Sequence, residues 1–257
     1  MEELLLIKNF LKKKHFDLKI RCNDILFILS MTKTGSTSIA SSIRESDFNG
    51  IIFHDHIFSY SEPKMTLNKK WKIQLLHKRA IKKGKPMKII SSIRYPIDRN
   101  ISAFFHGFQY YCPEFEIENL EIEKLISLFK SRYPHHKHDE WLSNNILAET
   151  GINIYDTPLE NESYSLVRHE NFELLTLKID LANELISKIL DQFLNLEGIF
   201  VKNHNKSSNK KYKQLYYNFK SKIKFPVSFI NTINKSKFCE HFFSKEFLEK
   251  KKDEYLA

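Results

Sequence analysis

Asp24-Ile25-Leu26-Phe27-Ile28-Leu29-Ser30-Met31-Thr32-Lys33-Thr34-Gly35-Ser36-Thr37-Ser38 is the stretch that decides the fold. Residues 25–29 form a continuous apolar run that ends in a polar turn with one glycine. Such a run is the signature of a strand covered on both faces, as in a parallel sheet between helical layers. Residues 35–44 carry small side chains at helix-compatible spacing. A buried strand feeding a Gly- and Ser-bearing turn into a helix is an anion-binding geometry, because the first N–H groups of a helix lack acceptors and sit at its positive end. Gly35 lets the backbone approach an anion, Ser36, Thr37 and Ser38 add hydroxyls, and Lys33 adds a point charge. The triphosphate-binding pattern GxxxxGK[ST] is not met: Ser30 replaces the first glycine, Ser36 replaces the lysine, and the lysine precedes Gly35 by two residues. The plain alternative is a strand-to-helix turn with capping hydroxyls.

Outward from this stretch, residues 51–54, 87–93 and 173–179 read as further strands. Residues 1–20, 67–83, 119–131, 138–150, 181–194, 209–223 and 245–255 read as helices, with another starting at Asp98. Gly151 is placed to cap the 138–150 helix. Strands alternating with helices predict an α/β three-layer fold around a central parallel sheet of about four to five strands, with extra C-terminal helices. One domain over 1–257 is expected, its core starting near residue 24, with 203–257 a basic helical C-terminal extension.

The 257 residues include 42% hydrophobic side chains, too many for a disordered chain. The formal charge of +10 points to an anionic partner: nucleic acid, a membrane surface, or a phosphate- or sulfate-bearing ligand. Lys, Asn, Ile and Phe are all abundant, so compositional bias competes with that reading. Cys22, Cys112 and Cys239 show no metal-binding or disulfide spacing, which fits a reducing compartment. The opening lacks a basic leader and a small-residue cleavage site, and residues 25–31 are too short to span a bilayer. A cytoplasmic protein is expected, whose basic surface would permit peripheral contact at the inner face of the membrane.

A second constellation is Arg94-Tyr95-Pro96-Ile97-Asp98-Arg99-Asn100-Ile101-Ser102. Arg94 sits where the third strand ends, and Ser102 lies one turn into the following helix. Both can converge on one anion at the carboxyl edge of the sheet, where open α/β sheets bind ligands. A guanidinium suits phosphate through its paired donors; pairing of Arg94 with Asp98 is the competing reading. Two anion sites on strand ends of one sheet describe a ligand with two separated phosphates.

These two segments resemble the signatures of the sulfotransferases that use 3′-phosphoadenosine 5′-phosphosulfate (PAPS). Thr32 to Ser38 is similar to the family's 5′-phosphosulfate loop, and Arg94, Pro96, Asp98, Arg99 and Ser102 are similar to its R-x-P-x-[DE]-R-x-x-S 3′-phosphate segment. More narrowly, His54-Asp55-His56, Glu140-Trp141, the segment from Thr150 to Tyr155 and His241-Phe242-Phe243-Ser244 resemble bacterial sulfotransferase-like proteins of capsular polysaccharide synthesis. The resemblance covers the chain from about residue 24. It implies a P-loop-like domain, PAPS as co-substrate, no metal, and a glycan or other hydroxyl compound as acceptor. It further implies that Thr32, Lys33, Thr34, Gly35, Ser36, Thr37, Ser38, Arg94 and Ser102 bind the nucleotide. Lys33 would act on the leaving 5′-phosphate, and His56 or His54 would be the base. By strand alternation the two histidines share a face, with His56 further toward the edge. Relatives often carry Glu where this chain has Asp180, which is read as structural.

Residues 202–211 form a basic loop in which Lys206, Lys210 or Lys211 could close over the nucleotide. His135-His136-Lys137-His138 lacks ligand spacing and reads as a solvated loop. Two rivals remain: a P-loop kinase or NTPase, which would need an acid at a strand end for Mg²⁺, and a basic nucleic-acid-binding module, for which no motif is present and no nucleic acid partner is expected.

Overall fold

The structure, a computed structural model, describes residues 11–20, 23–58, 66–82, 86–202 and 212–257. Helix α1 covers 11–20. It is followed by β1 (Asp24–Leu29), α2 (Ser36–Arg44), β2 (Gly50–Asp55), α3 (Leu67–Lys82), β3 (Met87–Ile93) and α4 (Pro96–His106). A five-stranded sheet has the order β2-β1-β3-β5-β4 among the described residues, with β4 spanning Tyr164–His169 and β5 Phe172–Lys178. β1, β2, β3 and β5 run parallel, and β4 pairs antiparallel to β5 as an edge strand.

Strand alternation sorts the apolar residues into two cores. Ile25, Phe27 and Leu29 of β1 face one core with Ile89 and Ile93 of β3, while Leu26 and Ile28 face the other with Ile90. α2 and α9 (Asn183–Leu194) cover the second face through Ile39, Ile43, Ile186 and Leu190. α3 and α4 cover the first through Ile73, Leu76, Ile101 and Phe104. The helices after β1 and after β2 thus lie on opposite faces. The chain reverses its winding between β1 and β3, which is where doubly wound sheets open a crevice at their carboxyl ends. The crevice starts where the ladder stops: the last β1–β3 partners are Ile28 and Ile90, and the Ser92 N–H bonds instead to Ser30 Oγ at 2.8 Å.

Several expectations change in detail. The strand read at 173–179 is the fifth, not the fourth, because β4 precedes it. β4 was illegible: its burial alternates poorly, as befits an edge strand exposed on one side. The 119–131 segment is a short 3₁₀ turn (Ile117–Asn119) and then α6 (Ile122–Arg132), with α5 (Phe108–Tyr111) before them. The 138–150 helix is interrupted: α7 (His138–Leu142) and α8 (Ala148–Thr150) flank a π-helical turn at Ser143–Leu147, and Gly151 ends it with φ 73°. The C-terminal extension is no appendage. α10 (Lys213–Lys222), α11 (Val227–Asn234), α12 (Lys237–Phe242) and α13 (Lys245–Tyr255) bury Phe219, Phe225, Phe242 and Tyr255 in the same core as β1. Cys112 and Cys239 are free and buried, while Cys22 lies outside the described residues. No helix among the described residues is long and apolar enough to cross a membrane.

The histidine cluster is not a solvated loop. Of the three histidines, His135 and His138 are buried and only His136 is exposed: His135 packs against Phe129 and Phe229, and the His138 ring lies 5.0 Å from Phe238 of α12. Burial pushes the His138 pKa down to about 3 and that of His135 down to about 4. Both take up a proton near 6.5 in the unfolded chain. The unfolded state therefore binds more protons between those values, and stability falls as the pH drops from about 6.5. His138 Nε2 has no hydrogen-bond partner among the described residues, so an apolar substitute loses little. His138→Leu is expected to show a smaller fall in Tm than wild type between about pH 7.5 and about pH 5. An equal fall would assign the acid sensitivity to other groups.

Candidate functional site

The turn between β1 and α2 is built by capturing its own carbonyls from below. The Ser30 carbonyl accepts from His56 Nδ1 at 2.6 Å, and the Met31 carbonyl from the Thr34 hydroxyl at 2.8 Å. Arg99 Nε donates to the Thr32 carbonyl at 3.0 Å and its NH2 group to Thr32 Oγ1 at 2.9 Å. Arg94 NH1 donates to the Lys33 carbonyl at 3.1 Å. The Gly35 carbonyl accepts from Ser38 N–H and Ile39 N–H, the first bonds of α2. Ser36 and Thr37 are therefore first-turn donors without an intrahelical acceptor. The backbone winds tightly to do this, with Lys33 at φ 68° and Gly35 at φ 77°. Glycine is suited to that conformation, whereas Lys33 holds it at a cost of order 1 kcal/mol that the surrounding bonds must offset. A Cβ on Gly35 would meet Ile179 only at ordinary contact distance, 3.4 Å from its Cγ2, so the positive φ and not a lack of space favours glycine.

This turn and the start of α4 line one cleft of about 650 Å³. Thr32, Lys33, Gly35, Ser36, Thr37 and Ser38 contribute from one side, and Arg94 and Ser102 from the other. The structure brings together nearly every residue the sequence singled out. Thr34 is the correction: it is buried, bonded to Met31 and at 2.9 Å to Ser92 Oγ, and it does not line the cleft. Within this tight turn the Thr34 side chain is directed into the protein, toward Met31 and Ser92. It completes a buried hydroxyl chain of Thr34, Ser92 and Ser30 that fastens the loop to β3. Lys206, with Lys210 and Lys211, lies outside the described residues.

The histidines separate. His56 lines the cleft, and its Nδ1–H donation to the Ser30 carbonyl fixes the tautomer with the lone pair on Nε2. His54 does not line it. Its Nε2 meets Ser36 Oγ at 2.9 Å, and burial, followed by the nearby His56 and Arg44, pulls its pKa below the ordinary value. His54 is thus a positioner of the loop serine, and His56 the ring with a nitrogen to offer.

Arg94 does not pair with Asp98. Asp98 binds Lys220 Nζ at 2.8 Å, Lys251 Nζ at 2.6 Å and the Tyr255 hydroxyl at 2.8 Å. Burial pushes this carboxyl up, but the two ammonium groups overcome that and hold it down at about 2. Lys220 and Lys251 also line the cleft and were missed; Asp180, read from the sequence as structural, lines it too. No local pattern distinguishes two lysines in a chain with 41 basic residues. Asp180 had a signal, its position just past β5 at the carboxyl edge. Four cationic side chains (Lys33, Arg94, Lys220, Lys251) thus face two carboxylates (Asp98, Asp180).

No family model, no curated protein and no solved structure matches this chain. The geometry stands alone: a helix N-terminus, hydroxyls, a cation excess and an oriented imidazole in one cleft.

Asp98 ties α4 to α10 and α13, and its carboxyl shift from 3.8 to about 2 corresponds to about 2 kcal/mol of stability. That contribution is present above about pH 3.8 and is lost as the pH falls through about 2. Asp98→Asn is expected to lower the unfolding free energy at neutral pH by about 2 kcal/mol, read from urea midpoints. An unchanged midpoint would mean the ammonium contacts add nothing.

Proposed function

We propose that the protein is a sulfotransferase that moves the sulfuryl group of PAPS to an acceptor hydroxyl, a glycan being the acceptor class the resemblance implies. The observation that carries this reading is the shared cleft: the lysine-bearing turn and the Arg94–Ser102 pair line one space of about 650 Å³, of a size suited to a nucleotide. A ligand with phosphates at two ends of an adenosine satisfies both walls, whereas a single phosphate leaves one wall idle. A cytoplasmic setting, with peripheral contact at the inner face of the membrane, belongs to the same reading.

The residues divide the work. Ser36 and Thr37 N–H groups and the loop hydroxyls hold the 5′-phosphate, and Arg94 with Ser102 holds the 3′-phosphate. The transfer is a loose in-line displacement, by analogy with phosphoryl transfer. The acceptor oxygen bonds to sulfur while the bond from sulfur to the bridging oxygen breaks. The acceptor proton passes to His56 Nε2, and Lys33 neutralises the charge that collects on the departing phosphate.

A second reading has one observation in its favour. Asp180 lines the cleft just past β5, and a kinase or NTPase needs such an acid for Mg²⁺. Against it, Ser36 stands where that chemistry requires lysine.

Thermal shift and calorimetry with adenosine 3′,5′-bisphosphate and with ATP–Mg²⁺ decide between them. The bisphosphate is expected to stabilise wild type more than ATP–Mg²⁺; the reverse order would favour the kinase reading. Arg94→Ala is expected to weaken bisphosphate binding about thirtyfold, and Ser102→Ala about fivefold. Equal binding by Arg94→Ala and wild type would remove Arg94 from the site.

Slow turnover of PAPS with water as acceptor tests the base. His56→Ala should cut the rate at least about a hundredfold, while His54→Ala should stay within about tenfold of wild type. Equal losses would mean that His56 acts only by shaping the loop.

A further inference from the structure

A second cleft, of about 830 Å³, lies behind the first. Two consecutive residue pairs divide them: Thr32 and His56 line the first, and their neighbours Met31 and Ile57 line the second. The two spaces are chemically unlike. In the second, Arg99 is engaged by Thr32 and Tyr133, Arg132 pairs with Glu114, and Glu149 pairs with His77. Both guanidinium groups of this cleft are held by the protein, Arg99 by neutral oxygens and Arg132 by a carboxylate. The second cleft offers the aromatic rings of Trp141 and Tyr110, with the polar groups of Lys137, Glu140 and Asn144. Tyr110 is 75% exposed.

The wall carrying these groups is also tied to His56. The Trp141 indole N–H donates to the His56 carbonyl at 2.8 Å. Asn145, inside the π-helical turn, accepts the Phe58 N–H at 2.9 Å and donates to the Trp141 carbonyl at 3.1 Å. A π turn is a costly irregularity that recurs at functional sites; here it places one amide so that it fixes both Trp141 and the segment following His56.

We propose that this second cleft is the acceptor site and that its ligand is a sugar ring of an oligosaccharide. The ring stacks its C–H face on Trp141 and Tyr110, its hydroxyls meet Asn144, Lys137 and Glu140, and one hydroxyl is presented toward His56. Aromatic faces beside amide and mixed-charge groups recognise a body that is apolar on its face and hydroxylated at its edge. This inference rests on the sulfotransferase reading for its role and on the second cleft for its chemistry.

Trp71 and Trp141 are the two tryptophans of the chain, so in a Trp71→Phe background Trp141 emission reports the second cleft. The titrants are cellohexaose, chitohexaose and a hyaluronan hexasaccharide, each with and without adenosine 3′,5′-bisphosphate. At least one hexasaccharide is expected to change the emission saturably. Tyr110→Ala, on an exposed ring, should weaken that binding at least about fivefold and leave bisphosphate affinity unchanged. No emission change from any of the three, with the bisphosphate bound, overturns the inference and leaves the donor reading standing. Sugar binding unaltered by Tyr110→Ala overturns it as well. Sugar binding without any bisphosphate binding supports the cleft and overturns the sulfotransferase reading.

Discussion

Everything near the cleft depends on where the carbonyls of residues 30–33 go. A turn that winds through two left-handed residues leaves its peptide oxygens without regular partners, and buried oxygens without donors are costly. Here each is met by a side chain: His56 for Ser30, Thr34 of the turn itself for Met31, Arg99 for Thr32 and Arg94 for Lys33. With the oxygens drawn toward the protein, the donor side of the turn and the N-terminus of α2 are what remain to meet a ligand. The shape of this turn is therefore a property of two distant segments, at 56 and at 94–99, and two of the clamps, His56 and Arg94, also line the cleft. The residues that shape the turn and those that would act on its ligand are partly the same.

The C-terminal helices complete this arrangement. α4 carries Arg99 and Ser102, and its first turn is fixed by Asp98 against Lys220 of α10 and Lys251 of α13. The neighbouring Tyr95 hydroxyl donates to Asn234 of α11, whose amide in turn reaches the Leu248 carbonyl of α13. The aromatic core of Phe104, Phe129, Phe219 and Phe225 stands behind these polar contacts. A region that composition marks only as basic and aromatic is thus the buttress that fixes α4 at the cleft.

Much of this was legible from local pattern. Strands buried on both faces are continuous apolar runs, so β1, β3 and β5 could be read directly, and the polar turns after them marked the carboxyl edge. What stayed hidden depends on contacts distant in sequence. Thr34 resembles its neighbours Thr32 and Ser36 in the chain, and only the approach of Ser92 decides that its hydroxyl turns inward. β4 is an edge strand whose burial depends on one neighbour. Lys220 and Lys251 differ from other lysines only by the carboxylate they meet. His54 of β2 and His56, just past the strand's end, have their rings 5.6 Å apart and are told apart by what they meet: Ser36 for His54, the Ser30 carbonyl for His56. The solvated reading of 135–138 failed for two of the four residues because polar types were taken as surface, when Phe129 and Phe229 cover His135 and Phe238 of α12 covers His138.

The two arginines of the 94–102 segment show how one motif divides binding from construction. Arg94 remains at the cleft and keeps donors in reserve after its single bond to Lys33. Arg99 is buried, and among the described residues its partners are neutral oxygens: the Thr32 carbonyl and hydroxyl, the Asn100 amide and the Tyr133 hydroxyl. Burial accordingly pulls its pKa below the ordinary value, and the nearby Arg94 adds to the pull. A guanidinium held in low dielectric without a carboxylate is screened less than one in water, so its field reaches further. It stands under the turn, bonded to the peptide that precedes Lys33, and polarises that peptide toward the cleft. Arg99 therefore fixes the turn and supplies a permanent positive potential beneath it, which under the proposed function would favour an anion that Arg99 does not touch.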